Sequence, residues 1–403
     1  MAYPSLRLVL RFLFLVVVVS ILLFMTGCNP ANAGGGGSST PAAPTGVAAT
    51  AGHAQVTITW PSVTGATSYN LYWSTTNGVT IANGTKIAGV TSPYNHTSLT
   101  NGTTYYYVVT AVNASGESAP SSQVSATPVP VPTYTVTYDG NNNTGGGSAP
   151  TDNAKYPQGA TVTVLGNTGT LVNAGYAFAG WNTKANGSGT SYAAGATFSM
   201  GAANVSLFAV WIPSNLKFSS SGTSITITGY TTVSGLVTIP GGVTGIGDSA
   251  FSSCTALTGV TIPSSVTSIG QWAFEGCTGL TSATIPSGVT SISLAAFAGS
   301  GLTSVTISYG VSSIGQDAFG SCLSLGPSVT IPSSVTSIGL YAFYDDYSLT
   351  NVYVQATTPP ALPSGSMAFY GISNLQILVP SGSVSTYKTA TGWSDYASNI
   401  VSQ

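Results

Sequence analysis

Residues 237–259 read VTIPGGVTGIGDSAFSSCTALTG. The phrase returns as VTIPSSVTSIGQWAFEGCTGLTS at 260–282, ATIPSGVTSISLAAFAGSGLTS at 283–304, VTISYGVSSIGQDAFGSCLSLGPS at 305–328 and VTIPSSVTSIGLYAFYDDYSLTN at 329–351. A short repeat that keeps its apolar positions predicts a solenoid, because each coil can bury its apolar face only on its neighbours. Such a body offers a regular surface and no built-in catalytic cleft.

Aligning the coils gives four ladders. Ile239, Ile262, Ile285, Ile307 and Ile331 form one; Ile246, Ile269, Ile292, Ile314 and Ile338 form another. Phe251, Phe274, Phe297, Phe319 and Phe343 form the third, and Leu257, Leu280, Leu302, Leu325 and Leu349 close the coil. The spacing predicts two short strands per coil, with the Ala-Phe segment as a tight turn or 3₁₀ piece. Like residues on successive coils predict a parallel sheet with rungs about 4.8 Å apart. Pro240, Pro263, Pro286 and Pro332 end the pairing, since proline has no N–H for a ladder. A degenerate coil over 352–376 follows, then a tail whose bulky aromatics, Tyr387 and Trp393, suit a cap on the open end.

These ladders and the Tyr387–Trp393 tail resemble the BspA-type leucine-rich repeats of bacterial surface proteins, over roughly residues 235–400. The resemblance implies attachment to host proteins or to other cells and leaves the ligand open.

Location is written at the other end. Arg7 and Arg11 precede the apolar run Phe12–Phe24, too short to span a bilayer and of signal-peptide length. Met25-Thr-Gly-Cys28 follows and resembles a lipobox, with Cys28 as the lipidated N-terminus; Met25 stands where leucine is usual. An ordinary secretory signal with an incidental cysteine is the alternative. Several acyl chains on one residue would anchor durably. Asn29, in place of an aspartate, favours outer-membrane or cell-surface display facing the exterior.

Only 16 of 403 residues are charged, and both arginines lie in the segment expected to be removed. Five lysines then face nine acids, a balance that argues against nucleic-acid binding. With 43% apolar residues the chain can build real cores, so disorder is confined to linkers.

The fold class is therefore mainly β, in segments marked by composition. Residues 1–28 are the lipoprotein signal and 29–41 a flexible linker containing Gly34-Gly-Gly-Gly-Ser-Ser-Thr-Pro. Residues 42–128 read as a β-sandwich. Val56, Ile58 and Trp60 alternate with threonines, and Tyr69, Leu71 and Trp73 share an inner face. Leu99, then Tyr105 six residues on at the entry to a strand, is a tyrosine-corner arrangement. Together these resemble a fibronectin type III domain, for which a spacer role is expected. Residues 129–213 carry Tyr134-Thr-Val-Thr-Tyr138, Gly180-Trp181-Asn182 and Leu207-Phe-Ala-Val-Trp211. They resemble the Listeria–Bacteroides (internalin B-type) repeat, with Tyr138, Trp181 and Trp211 as its core. Residues 214–403 are the solenoid and its cap.

Catalytic chemistry is sparse. His53 and His96 lack a nearby carboxylate or cysteine and are expected at the surface or in loops. Cys254, Cys277 and Cys322 share one position of three coils and are expected to stack as small apolar fillers; a disulfide between Cys254 and Cys277 is the alternative. Asp139-Gly-Asn141-Asn-Asn143 departs from a calcium loop at Thr144 and Pro150 and is expected to be a turn. Asp345-Asp346, the acidic pair of the solenoid, is expected to be a solvated loop pair, with weak cation binding as the alternative. No nucleophile elbow, HExxH or phosphate loop occurs, and no metal or cofactor is implied.

What departs from the repeat is surface. Trp272, Tyr341, Tyr344 and Tyr347, with Glu275, Asp345 and Asp346 nearby, are the candidate ligand-binding residues, because aromatics dominate binding hot spots. Shielding of the turns between coils is the alternative. The expected protein is not an enzyme but a lipid-anchored surface protein for adhesion or protein recognition. Its partner would be a host or neighbouring-cell protein or glycan. A non-catalytic carbohydrate-binding or scaffolding role is the alternative.

Overall fold

The computed structural model describes residues 39–403, and the expectation for Cys28 lies outside the described residues. The described chain divides into two compact units, one ending at Pro130 and one running from Val131 to Gln403. Both are strand-built; helical segments are confined to Ser381–Ser383, Val384–Thr389 and Trp393–Tyr396.

The first unit is an antiparallel sandwich. One sheet holds Ala48–Gly52, Gln55–Thr59 and Tyr94–Thr97; the other centres on Ser68–Ser74 paired with Tyr105–Asn113. Alternation in the sequence becomes alternation in burial: Val56, Ile58, Leu71, Tyr107, Val109 and Ala111 are inaccessible. The Tyr105 hydroxyl accepts a hydrogen bond from the Thr100 N–H at 3.0 Å, which fixes the corner where the chain enters its strand. His96 departs from its expected surface place. It lies on Tyr94–Thr97, its ring 4.8 Å from that of Trp73 and its Nδ1 3.1 Å from the Tyr107 hydroxyl, and desolvation lowers its pKa.

In the second unit, a four-stranded sheet is ordered Val136–Asp139, Val205–Pro213, Tyr176–Asn182, Ser191–Tyr192. Trp181 is inaccessible at its centre, edge-on to Tyr138 at 4.8 Å and to Phe178 at 5.0 Å. The Asn141 N–H bonds the Asp139 carboxylate at 2.7 Å, making the expected turn. At Ser214-Asn215 the chain turns directly into the solenoid. Ala179, Val210 and Ile212 share one apolar core with Leu216, Ile225 and Ile227, and the Ser191 hydroxyl donates to the Gly242 carbonyl at 2.7 Å.

The solenoid starts on a hairpin, Leu216–Ser221 with Ser224–Tyr230, whose second strand pairs in parallel with Gly245–Ile246. Two-residue strands then add one per coil, bringing Ile246, Ile269, Ile292, Ile314 and Ile338 into register. On the other face Ile285 lies against Ile307, and Ile331 against Val354. This second face is not the single sheet the ladders predict. It falls into three pieces, with bonds such as Thr281 N–H to Thr258 O (3.3 Å) bridging the gap between the first two.

The Ala-Phe segment carries a ladder of its own. Turn bonds such as Cys254 N–H to Phe251 O (3.0 Å) alternate with bonds to the next coil: Phe251 N–H to Ala273 O, Phe274 to Ala296, Phe297 to Ala318, Phe319 to Ala342 and Phe343 to Ala368, all 2.8–2.9 Å. Backbone registry forces the rings into a stack. Phe251, Phe274, Phe297, Phe319, Phe343 and Phe369 follow one another at 5.1–5.6 Å with planes 2–16° apart. Tyr230 begins the column, and Trp393 and Tyr396 end it. The tail caps the open end as expected: Tyr387 and Trp393 are inaccessible, and their polar atoms donate to the Ala356 and Pro360 carbonyls, each at 2.7 Å.

Hydroxyls do the work that charge does elsewhere. Ser265 and Ser334 donate to the Val243 and Val311 carbonyls at 2.8 and 2.7 Å, and Thr267, Thr303 and Thr336 bond carbonyls of the preceding coil. Phe297 sits mid-stack with no exposed surface, so Phe297→Ala should destabilise the protein by about 3–5 kcal/mol. Urea unfolding of the full-length chain, followed by tryptophan fluorescence, checks this; a loss under about 1 kcal/mol would mean the ring stack is not structural.

Candidate functional site

Two columns of left-handed residues run along the coils. Ser249, Trp272, Ala295, Asp317, Tyr341 and Met367 occupy the first, with φ between 49° and 57°. Ser253, Gly276, Gly299, Ser321, Asp345 and Gly371 occupy the second, with φ between 58° and 86°. The first five of these N–H groups reach the next coil, as in Trp272 N–H to Leu294 O and Tyr341 N–H to Ser366 O. The positive φ of two aromatic residues is therefore a property of the coil, shared with serine, alanine and methionine, and is not strain peculiar to a binding residue.

Between the columns run Ser252, Glu275, Ala298, Gly320, Tyr344 and Tyr370, the residues directly after each phenylalanine. On the last two coils this position puts Tyr344 and Tyr370 ring on ring, 5.6 Å apart with planes at 11°. Tyr341 stands perpendicular to Tyr344, 5.5 Å away at 89°. Tyr347 is exposed, and its N–H bonds the Asp345 carbonyl at 3.0 Å. The Asp345 charge raises the Tyr344 phenol pKa, and hydrogen bonding to Asp345 raises that of Tyr347.

Three of the four predicted aromatics are thus brought together. Trp272 is not: it shares the column of Tyr341 but lies three coils away, roughly 14 Å at the rung spacing of a parallel stack. Tyr370, more than half exposed, completes the cluster and went unpredicted because its coil lacks the VTIP phrase. The signal was present in the tripeptide Ala368-Phe-Tyr370, which repeats Ala342-Phe-Tyr344.

The acidic pair does not behave as a solvated loop. Asp345 is half-buried, and Asp346 has no exposed surface. Asp346 occupies the inward position that Cys254, Cys277, Ser300 and Cys322 fill on earlier coils, so the turn that exposes Asp345 must bury its neighbour. Its Oδ1 accepts from the Cys322 N–H at 2.8 Å and its Oδ2 has no partner. Burial pushes its pKa up to about 8, against the opposing Cys322 bond, and the Asp345 charge adds to the rise. The three cysteines are free and buried; burial pushes Cys277 and Cys322 up to about 12, the range of inert thiols.

A concavity of about 690 Å³ lies where the sixth coil replaces its second strand with Pro359-Pro360-Ala361. Ile314, Ile338, Leu362 and Trp393 help line it, with no acid, base or thiol among its lining residues. Among the described residues no three His, Cys, Asp or Glu side chains gather in a metal-holding group, and no helix is long and apolar enough to cross a membrane.

The BspA-type leucine-rich repeat region matches residues 230–350 and 291–391 in six copies. The Listeria–Bacteroides repeat domain matches 134–210 and the fibronectin type III domain 42–127. The chain is thus built of a fibronectin type III domain, a Listeria–Bacteroides repeat and BspA-type leucine-rich repeats. A poly(3-hydroxybutyrate) depolymerase of Ralstonia pickettii is 40% identical over 116 residues, 28% of this chain and 22% of that protein. An Evansella cellulosilytica protein named a membrane protein is 41% identical over 86 residues, 21% of this chain and 12% of its own length. The chain therefore spans under a quarter of these relatives. The crystal structure of a T. pallidum leucine-rich repeat protein is 31% identical and covers 42% of this chain and 80% of that one, with a TM-score of 0.37.

The Asp346 geometry makes stability depend on pH. Above the ordinary value of 3.8 the unfolded chain ionises Asp346, while the folded chain holds the proton to about pH 8. The unfolded state then binds fewer protons, so the Asp346 contribution to the solenoid's stability is full below that window and falls as pH rises through it. At about 1.4 kcal/mol per unit of displacement, the loss is of the order of several kcal/mol. Asp346→Ser, copying Ser300, should flatten this slope and raise the melting temperature at pH 8. An unchanged slope in calorimetry across pH 4–9 would assign it elsewhere.

Proposed function

We propose that this chain is a non-catalytic recognition protein displayed outside the cell, held at the membrane through a lipidated Cys28. Its contact face would be the turn side of the last two solenoid coils. The single observation that carries the reading is the Tyr341–Tyr344–Tyr370 cluster, where three aromatic rings meet at the turns of the last coils. Rings ordered by stacking lose little conformational entropy when a ligand docks, which is what makes tyrosine an effective anchor. The stack of coils supplies a rigid backing for them. A pocket without titratable groups, and Cys277 and Cys322 thiols pushed up to about 12, leave little from which to assemble an enzyme.

The outer units take subsidiary parts in this reading. The fibronectin type III domain and the Listeria–Bacteroides repeat would act as spacers between anchor and contact face. The partner would be a protein or glycan of a host or a neighbouring cell, met at the outer membrane or cell surface.

Two measurements test the proposal. Tyr344→Ala with Tyr370→Ala should weaken binding of the full-length protein to a panel of extracellular-matrix glycoproteins at least tenfold, without lowering its melting temperature by more than a few degrees. If the double variant binds every glycoprotein and polysaccharide as the parent does, this face is not the contact. Metabolic labelling with an alkyne-bearing palmitate should mark the parent chain and leave Cys28→Ala unmarked; equal labelling of both would remove the anchor.

A further inference from the structure

Asp345 differs from every other residue of its column. The equivalents are Ser253, Gly276, Gly299, Ser321 and Gly371, so this coil alone places a charge there. Its backbone is held left-handed at φ 58°, and its N–H bonds the Tyr370 carbonyl at 2.9 Å. Its Oδ1 rests over Gly371, where a Cβ would approach it to 2.3 Å, so the glycine makes the room the carboxylate needs. Its charge acts on the Tyr344 and Tyr347 phenols, and Tyr344 in turn stacks on Tyr370 and meets Tyr341 at right angles.

No cation answers this charge. Among the described residues the ion pair found is Lys86–Glu117, in the other compact unit. Residues 214–403 hold two lysines, Lys217 and Lys388, against five acids besides the protonated Asp346, a charge of 2 − 5 = −3. A carboxylate at the edge of a tyrosine cluster joins two attractions for one kind of ligand. Ring faces draw a cation through their quadrupole, and the carboxylate draws it through charge. Of the cationic side chains, the guanidinium fits best, because its plane can lie on a tyrosine face while its N–H fork reaches the carboxylate.

We propose that Asp345 with Tyr341, Tyr344, Tyr347 and Tyr370 forms a receptor for an arginine side chain presented by a protein partner. The inference rests on the reading of this face as the contact surface and names the chemistry that the face selects. A neutral sugar could stack on Tyr344 or Tyr370 but would make no use of the unpaired charge, so charge complementarity favours the protein partner. Because the pair is solvent-accessible, the attraction should weaken as salt rises.

The test uses the full-length protein and an array of immobilised twelve-residue peptides carrying two arginines, each beside a copy with citrulline in place of arginine. Citrulline keeps the planar shape and the Nε–H/NH₂ edge that could reach a carboxylate, while one NH₂ becomes a carbonyl oxygen and the charge is lost. The parent should bind the arginine peptides at least tenfold more tightly than the citrulline copies, and Asp345→Asn should abolish the difference. Asp345→Ser, which copies Ser253 and Ser321, checks that any loss is not one of folding, since its melting temperature should match that of the parent. Equal binding of both peptide sets, or an undiminished preference in Asp345→Asn, would overturn the arginine receptor. If a polysaccharide or glycoprotein still binds in a Tyr344-dependent but Asp345-independent way, the contact face stands and the ligand is a glycan. If no ligand depends on Tyr344 or Tyr370, the contact face itself falls.

Discussion

Registry between successive coils is the constraint on which the solenoid depends. Three sets of interchain-like contacts, all within one chain, enforce it: paired isoleucines on the short strands, the N–H to carbonyl bonds of the phenylalanine turn, and the phenylalanine stack. A slip by one residue would break all three together. It would turn the isoleucines outward and move each ring off its neighbour. The cooperative penalty explains why the coils keep one arrangement although no coil has a core of its own.

That registry also settles how polar groups are handled. Corners of a coil leave carbonyls without strand partners, and an unpaired buried carbonyl is costly. Serine recurs at those corners and donates to the coil before, as Ser265 and Ser334 do, while Thr267 and Thr336 add a second bond to carbonyls that already accept their own N–H. The abundance of hydroxyls and the scarcity of charge in the composition thus have a structural cause. Asp346 is the exception. It places a carboxyl where the other coils use a thiol or a serine hydroxyl, and one of its oxygens goes unanswered.

Much of the architecture was legible in the sequence because the deciding residues are large and repeat in type. The phenylalanine ladder, the isoleucine registers, the tyrosine corner at Tyr105 and the Tyr387–Trp393 cap all follow from identity and spacing. The left-handed columns were not legible. Their occupants range from glycine to tryptophan, so no residue type announces them, and only the glycines at 276, 299 and 371 hint at the second column. Tyr370 was hidden by a coil whose strands had lost the signature phrase while its Ala-Phe-Tyr turn survived. Asp346 was misjudged because an Asp-Asp pair suggests water; alignment with Cys322 would have placed it inside. The shared core of the Listeria–Bacteroides repeat and the first coils was hidden for a different reason: Val210 and Ile212 alternate as any strand does, and nothing local says that their outward face is covered.

The first left-handed column bears on how such a surface can diversify. Its backbone is pinned from coil to coil by hydrogen bonds that do not involve the side chain, so serine, tryptophan, alanine, aspartate and tyrosine all fit the same seat. A codon change there alters what the molecule shows to its surroundings without disturbing what holds it up. Duplication of a coil would copy the seat along with its occupant. The column amounts to an interchangeable row of type on a fixed press, and new specificities can be set in it one character at a time.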